Sequence, residues 1–193
     1  MKNETARSVA PYAAWMALMM LLPSTPWAYG VRTVVTLVLL AFAFPQLAAR
    51  KSENPKTFFW GVAVGLLTLV IWIAPDSLPF YRRFCVIGDP YSSASPLPLD
   101  SPLTWIQLFG SAFVISVAEE LFFRKWLIRY AGFGWMVALF AIEHDRYVVG
   151  AIAGVLYGLL YLKKGLPAAI VAHATTNLLL GLYVLHTGRW EFW

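Results

Sequence analysis

The chain has 193 residues, 60% of them hydrophobic and only 13% charged, with a formal net charge of +5. A soluble domain carries about 25% charged residues, so this much apolar surface excludes a water-soluble globule and leaves lipid as the solvent. The basic residues are scattered between apolar runs without forming a basic face, which excludes nucleic acid as a partner. The single cysteine, Cys85, excludes an internal disulfide.

Apolar runs fall at 9–27, 31–49, 57–74, 102–128, 133–145, 147–162 and 166–186. A span needs roughly 20 residues. The first four runs and the last are long enough; the fifth and sixth are short and predict a helical hairpin held inside the bundle. The expected fold is therefore all-α: one polytopic transmembrane helical bundle over residues 1–193, with about seven membrane-embedded helices. Three N-terminal spans occupy 1–74. Residues 75–101, rich in Pro, Ser and Asp, form a polar loop with room for a short surface helix, and 102–186 hold the functional helices. The first run follows Lys2 and Arg7, as in a signal peptide, but no small-residue cleavage site comes after it, so it reads as a first span.

With the N-terminus inside and seven spans, the inner segments hold Lys2, Arg7, Arg50, Lys51, Lys56, Arg124, Lys125, Arg129, Lys163 and Lys164. The outer ones hold Arg32, Arg82, Arg83, Arg146 and Arg189. That asymmetry runs in the direction of the positive-inside rule. The compact size and short termini point to a bacterial or archaeal cytoplasmic membrane.

Ionisable groups within spans are costly and mark functional sites. Glu119 and Glu120 lie in the fourth run, before Arg124. Glu120 and Arg124 are i and i+4 and share a helix face. Glu119 points about 100° away, so one carboxylate can be neutralised while the other stays reactive. The plainer alternative is a pair of glutamates at the membrane edge marked by Arg124, Lys125 and Arg129. His173 and Asn177 are also i and i+4. Both can donate to an oxyanion, or they can serve as interhelical hydrogen-bond glue. His144, flanked by Glu143, Asp145 and Arg146, reads by itself as part of a polar loop. Measured from a cytoplasmic edge at Arg129, Gly132 and Gly165, Glu119 lies roughly 15 Å deep, His144 18 Å, His173 12 Å and Asn177 18 Å. Three helices thus deliver polar groups to similar depth.

A carboxylate and a neutral imidazole can hold and deprotonate water, while a second His and an Asn stabilise the resulting oxyanion. This set suits peptide hydrolysis without a covalent intermediate. There is no G-x-S-x-G elbow. Ser111 and Ser116 are expected to bond backbone carbonyls, and Cys85 has no His nearby in sequence. Zinc on Glu119, His144 and His173 is the competing design, but no H-E-x-x-H motif exists and the water activation needs no metal. The expectation is no metal and no cofactor.

Glu119-Glu120-Leu121-Phe122-Phe123-Arg124 resembles the E-E-x-x-x-R motif of the CPBP (Abi) family, which includes type II CAAX prenyl endopeptidases. Phe140 to His144 resembles its F-x-x-x-H motif, and His173 to Asn177 its H-x-x-x-N motif, in matching order over about 102–180. The resemblance implies a helical-bundle glutamic protease. Glu119 and His144 would activate water, His173 and Asn177 would face the oxyanion, and Glu120 and Arg124 would support them. The acidic flanks of His144 depart from the usual pattern. The expected partners are membrane lipid and a protein or peptide substrate that can carry a C-terminal lipid or hydrophobic tail. The alternatives are a non-enzymatic immunity or scaffold protein on the same fold and a zinc-dependent membrane protease.

Overall fold

The computed structural model describes residues 2–48, 55–87 and 97–192; Arg50, Lys51 and residues 88–96 of the polar loop lie outside them. The described residues form eight helices and no strand. These are α1 Lys2–Leu21, α2 Pro26–Ala48, α3 Pro55–Ile73, α4 Pro79–Phe84, α5 Pro102–Ala131, α6 Phe133–Ile142, α7 Tyr147–Lys164 and α8 Leu166–Thr187. Helices occupy all seven apolar runs, and α4 is the short helix in the loop.

Proline and glycine set the boundaries. Pro26, Pro55, Pro79 and Pro102 each open a helix, where a missing N–H costs nothing and the fixed φ suits the first turn. Pro23 and Ser24 follow the end of α1, which stops at Leu21 instead of running to residue 27. Gly132 and Gly165 take φ of +89° and +86° and end α5 and α7. This conformation is open to glycine alone at low cost, and the next helix begins at the following residue.

Among the described residues, five helices are long and apolar enough to cross a membrane: α2, α3, α5, α7 and α8. That is fewer than the seven expected. Helix α1 is long enough, but Glu4 and Arg7 make it more polar than the others. Helix α6 has ten residues, about 15 Å at 1.5 Å per residue, and cannot cross. It does form the expected hairpin, but its partner α7 is a full-length span. Large apolar side chains such as Val34 (59% exposed), Phe42 (68%) and Phe59 (68%) lie open on α2 and α3. Such surface is suited to lipid, and the chain is an integral membrane protein.

Close helix approach depends on small residues, which let backbones meet in lipid. On α3, a Cβ added to Gly61 would lie 2.7 Å from the Val171 side chain, and one on Gly65 2.6 Å from the Ala172 carbonyl. This Gly61-x-x-x-Gly65 face packs α3 onto α8. On α7, a Cβ at Gly158 would lie 2.6 Å from the Phe133 ring, and one at Gly154 3.3 Å from Phe140. That contact closes the α6–α7 hairpin. Together the two contacts carry His173 and His144 to the same interior.

Candidate active site

Helix α5 is not a regular α-helix. Gly110–Ile115 and Glu120–Leu127 are π-helical and bracket one α-turn, Ser116–Glu119. Such widened turns cost hydrogen-bond geometry and gather at functional sites. Ser116 donates to the Ser111 carbonyl at 3.1 Å within the first wide turn, as expected of a membrane serine.

The second wide turn carries the charges. Glu120 and Arg124 pair at 3.0 Å, both with fully buried side chains. The Arg124 guanidinium lies 4.1 Å from the centre of the Phe140 ring, with Tyr157 and Phe123 also around it. Aromatic faces supply part of what water would give the cation. Removing one partner of such a buried pair strands the other.

His173 reaches in from α8. Its Nδ1 lies 2.9 Å from Glu120 Oε1 and its Nε2 3.7 Å from Glu119 Oε2. A carboxylate can only accept, so Nδ1 carries the proton and Nε2 is the atom turned toward Glu119. The ring stacks on Tyr157 at 5.0 Å. Tyr157 donates to Thr176 at 2.7 Å, and Thr176 donates to the Gly65 carbonyl at 2.9 Å. A hydrogen-bond chain thus ties the imidazole to the α3–α8 glycine contact.

His144 sits in the turn between α6 and α7. Its Nδ1 lies 2.7 Å from the Phe140 carbonyl, which makes Nδ1 the donor and leaves the Nε2 lone pair free. Glu119, Glu143 and His144 each bring one ligand atom within 4.8 Å of the others. Glu119 is 9% exposed. The structure therefore brings Glu119, His144 and His173 together. The flanking acid expected in a loop, Glu143, points into the same site and accepts a hydrogen bond from Tyr12 of α1.

Asn177 lies one turn beyond His173. Its amide donates to the Ser111 carbonyl at 3.0 Å and to Ser116 Oγ at 3.1 Å. The same residue thus bridges α8 to α5 and lines the cavity. That cavity, about 160 Å³, has His144, His173, Asn177, Ser111, Tyr157 and Trp72 in its lining. It is large enough for water.

Glu119, Glu120 and Glu143 face one guanidinium, Arg124. Glu119 Oε2, Glu120 Oε2 and Glu143 Oε1 are buried without a hydrogen-bond partner. The trio Glu119, Glu143 and His144 has donors suited to a divalent cation. The zinc set expected from sequence used His173 in place of Glu143, but His173 turns one nitrogen to Glu120.

Sequence reasoning missed Glu143, Tyr12 and the Tyr157–Thr176 chain. For Glu143 the signal was its place beside His144 at the end of a run too short to cross. Tyr12 had none, being one aromatic among many.

Residues 101–179 match the family described as type II CAAX prenyl endopeptidase Rce1-like. No curated protein and no solved structure matches the chain. The matched segment holds α5 to most of α8 and all three motifs. Over that segment the chain is similar to the CAAX-protease-like membrane endopeptidases.

Proposed function

We propose that this protein is an intramembrane endopeptidase that hydrolyses a peptide bond of a membrane-associated substrate with water activated by Glu119 and His144. The observation that carries the reading is the meeting of Glu119, His144 and His173, from three separate segments, beside a cavity that both histidines line. Glu119 keeps a buried oxygen without a partner while its neighbour Glu120 is spent on Arg124 and His173. The free His144 Nε2 accepts a hydrogen bond from the water and orients it, and Glu119 takes the other hydrogen as a proton while the oxygen attacks the carbonyl.

The oxyanion then falls to His173 Nε2 and the Asn177 amide. His173 can donate from Nε2 as the imidazolium, with Glu120 as its counter-charge. Asn177 can exchange its bond to Ser116 for one to the oxyanion. Such bonds are often completed only in the transition state.

An apolar groove runs between α2 and the start of α5, lined by Trp27, Val34, Trp105 and Phe109. Its apolar lining suits a substrate with a lipid or hydrophobic C-terminal tail. We read the N-terminus as inside; the 3.9 Å approach of Glu4 of α1 to both Lys125 and Arg129 supports grouping it with the basic end.

The second reading is a metal-dependent protease built on Glu119, Glu143 and His144. The metal-free reading is preferred because water activation by Glu119 and His144 needs no further ligand.

The test is purified protein in liposomes with two quenched fluorogenic probes. One is a farnesylated Cys-aliphatic-aliphatic-X peptide, the other an unprenylated peptide with a hydrophobic tail. Cleavage of either at one peptide bond, located by mass spectrometry, is expected. No cleavage of either contradicts the reading.

A further inference from the structure

Peptide hydrolysis needs two proton movements. Water must lose a proton as it attacks, and the leaving nitrogen must gain one, because an amide anion is too poor a leaving group to depart alone. The Proposed function assigns the first movement to Glu119. Nothing in the three motifs assigns the second.

Glu143 has the position for it. It comes from the turn after α6, beside His144, and brings an oxygen within 4.8 Å of both Glu119 and a ring nitrogen of His144. Its two oxygens differ. Oε2 is fixed by the Tyr12 hydroxyl, which donates to it. Oε1 is buried and takes no hydrogen bond. Tyr12 is itself held, at 8% exposure, by Phe122 and Phe123 of the wide turn. The carboxyl is therefore oriented from α1, outside the family-matched segment, with Oε1 left without a hydrogen bond 3.8 Å from His144 Nδ1. The charge count agrees: Glu119, Glu120 and Glu143 share the interior with one guanidinium, already paired to Glu120. Two carboxyl groups at such short range do not both ionise in a dry site; one keeps a proton.

We propose that Glu143 is a catalytic general acid, delivering the proton on Oε1 to the leaving amine, with Tyr12 as its positioning residue. The proposal rests on the reading of Glu119 as the base. In the first step Glu119 takes a proton from water as the oxygen bonds to the carbonyl carbon. In the second the C–N bond breaks and its electron pair takes the Glu143 proton. The products are a carboxylic acid and an amine. Glu119 is left protonated and Glu143 ionised, and transfer of that proton between them restores the starting state.

The experiment uses whichever peptide probe the wild-type protein cleaves in liposomes, together with its ester analogue at the scissile bond. An alkoxide leaves with less help from an acid than an amine does, so the two probes report the second proton separately. Glu143→Gln keeps an acceptor for Tyr12 and loses the proton. It is expected to lower amide turnover about 100-fold or more, with ester turnover reduced far less and KM little changed. Tyr12→Phe, which leaves the carboxyl in place, moves the amide-to-ester ratio the same way by a smaller factor. Equal losses on both probes, as a purely structural or metal-ligating Glu143 would give, overturn the proposal, and so does an undiminished amide rate. Glu119→Gln serves as the control. If it loses both probes while Glu143→Gln loses neither selectively, the acid fails and the base stands. If it loses neither, the reading of the site itself fails.

Discussion

The molecule buries carboxylates in two places, and the two are balanced in opposite ways. At the end of the bundle near α4, Asp76 is fully buried and gathers three arginines. Arg146 reaches Oδ1 at 3.1 Å, Arg82 reaches Oδ2 at 3.2 Å, and Arg189 also bonds Oδ2. Both oxygens are taken and cations are in excess. Around Glu119 the acids are in excess, and three carboxyl oxygens have no partner. Satisfied groups fix structure, whereas unsatisfied buried groups stand in need of an explanation, of which catalysis is one. The Asp76 cluster ties α4, the α6–α7 turn and the C-terminal turn into a clamp. The Glu119 cluster keeps the free valences that chemistry requires.

The comparison can be broken most severely at Glu120, which belongs to both kinds of group. Glu120→Gln strands Arg124 in a dry site and releases His173. It is expected to cost about 3–5 kcal/mol of stability and most of the turnover as well. Thermal melting in detergent beside an activity assay checks this; an unchanged melt would show that Arg124 does not depend on the pair.

Next in size is Asn177→Ala, expected to lower turnover per folded molecule about 100- to 1,000-fold, as for loss of one oxyanion donor. Substrate affinity, measured on a Glu119→Gln background, should change little. If Asn177 only binds α8 to α5, the effect instead falls on the melt, by about 0.6 kcal/mol, and turnover survives.

Asp76→Asn should show the opposite pattern. Loss of charged hydrogen bonds to Arg146 and Arg189 is expected to cost about 1.5–3 kcal/mol of stability each at most, with turnover per folded molecule largely kept. A selective loss of turnover would make the clamp part of the chemistry.

The smallest expected effect is that of metal removal. Dialysis against a chelator should leave activity unchanged. Loss of activity restored by added zinc would favour the reading in which Glu119, Glu143 and His144 are ligands.

Much of this was legible because lipid makes polar residues conspicuous. Glu119, Glu120, His173 and Asn177 stand out in apolar runs, and the i, i+4 pairing of Glu120 with Arg124 is present at 3.0 Å although the helix there is π-helical. The widened turns left no trace in residue type. Glu143 was read as a loop flank because a polar tetrapeptide after an apolar run normally marks the water boundary. Here the ten-residue α6 is followed by a turn that tucks Glu143 and His144 partly into the bundle while Ile142 and Asp145 stay exposed. Run length likewise does not separate a crossing helix from an embedded one, so the count of about seven membrane-embedded helices rests on where α1 and α6 lie. Asp76 and its arginines were read as loop charges, because convergence of residues 76, 82, 146 and 189 depends on tertiary packing. The Gly61-x-x-x-Gly65 contact did have a signal, the small-residue spacing itself.

The most direct test of the central claim is turnover per folded molecule of Glu119→Gln in liposomes, on whichever peptide the wild type cleaves. Losing the general base should lower it by about 100- to 10,000-fold with the melting temperature little changed, since Glu119 meets only the His173 ring edge, at 3.7 Å, whereas Glu120 holds the buried Arg124 at 3.0 Å. Wild-type turnover in the folded variant would contradict the account.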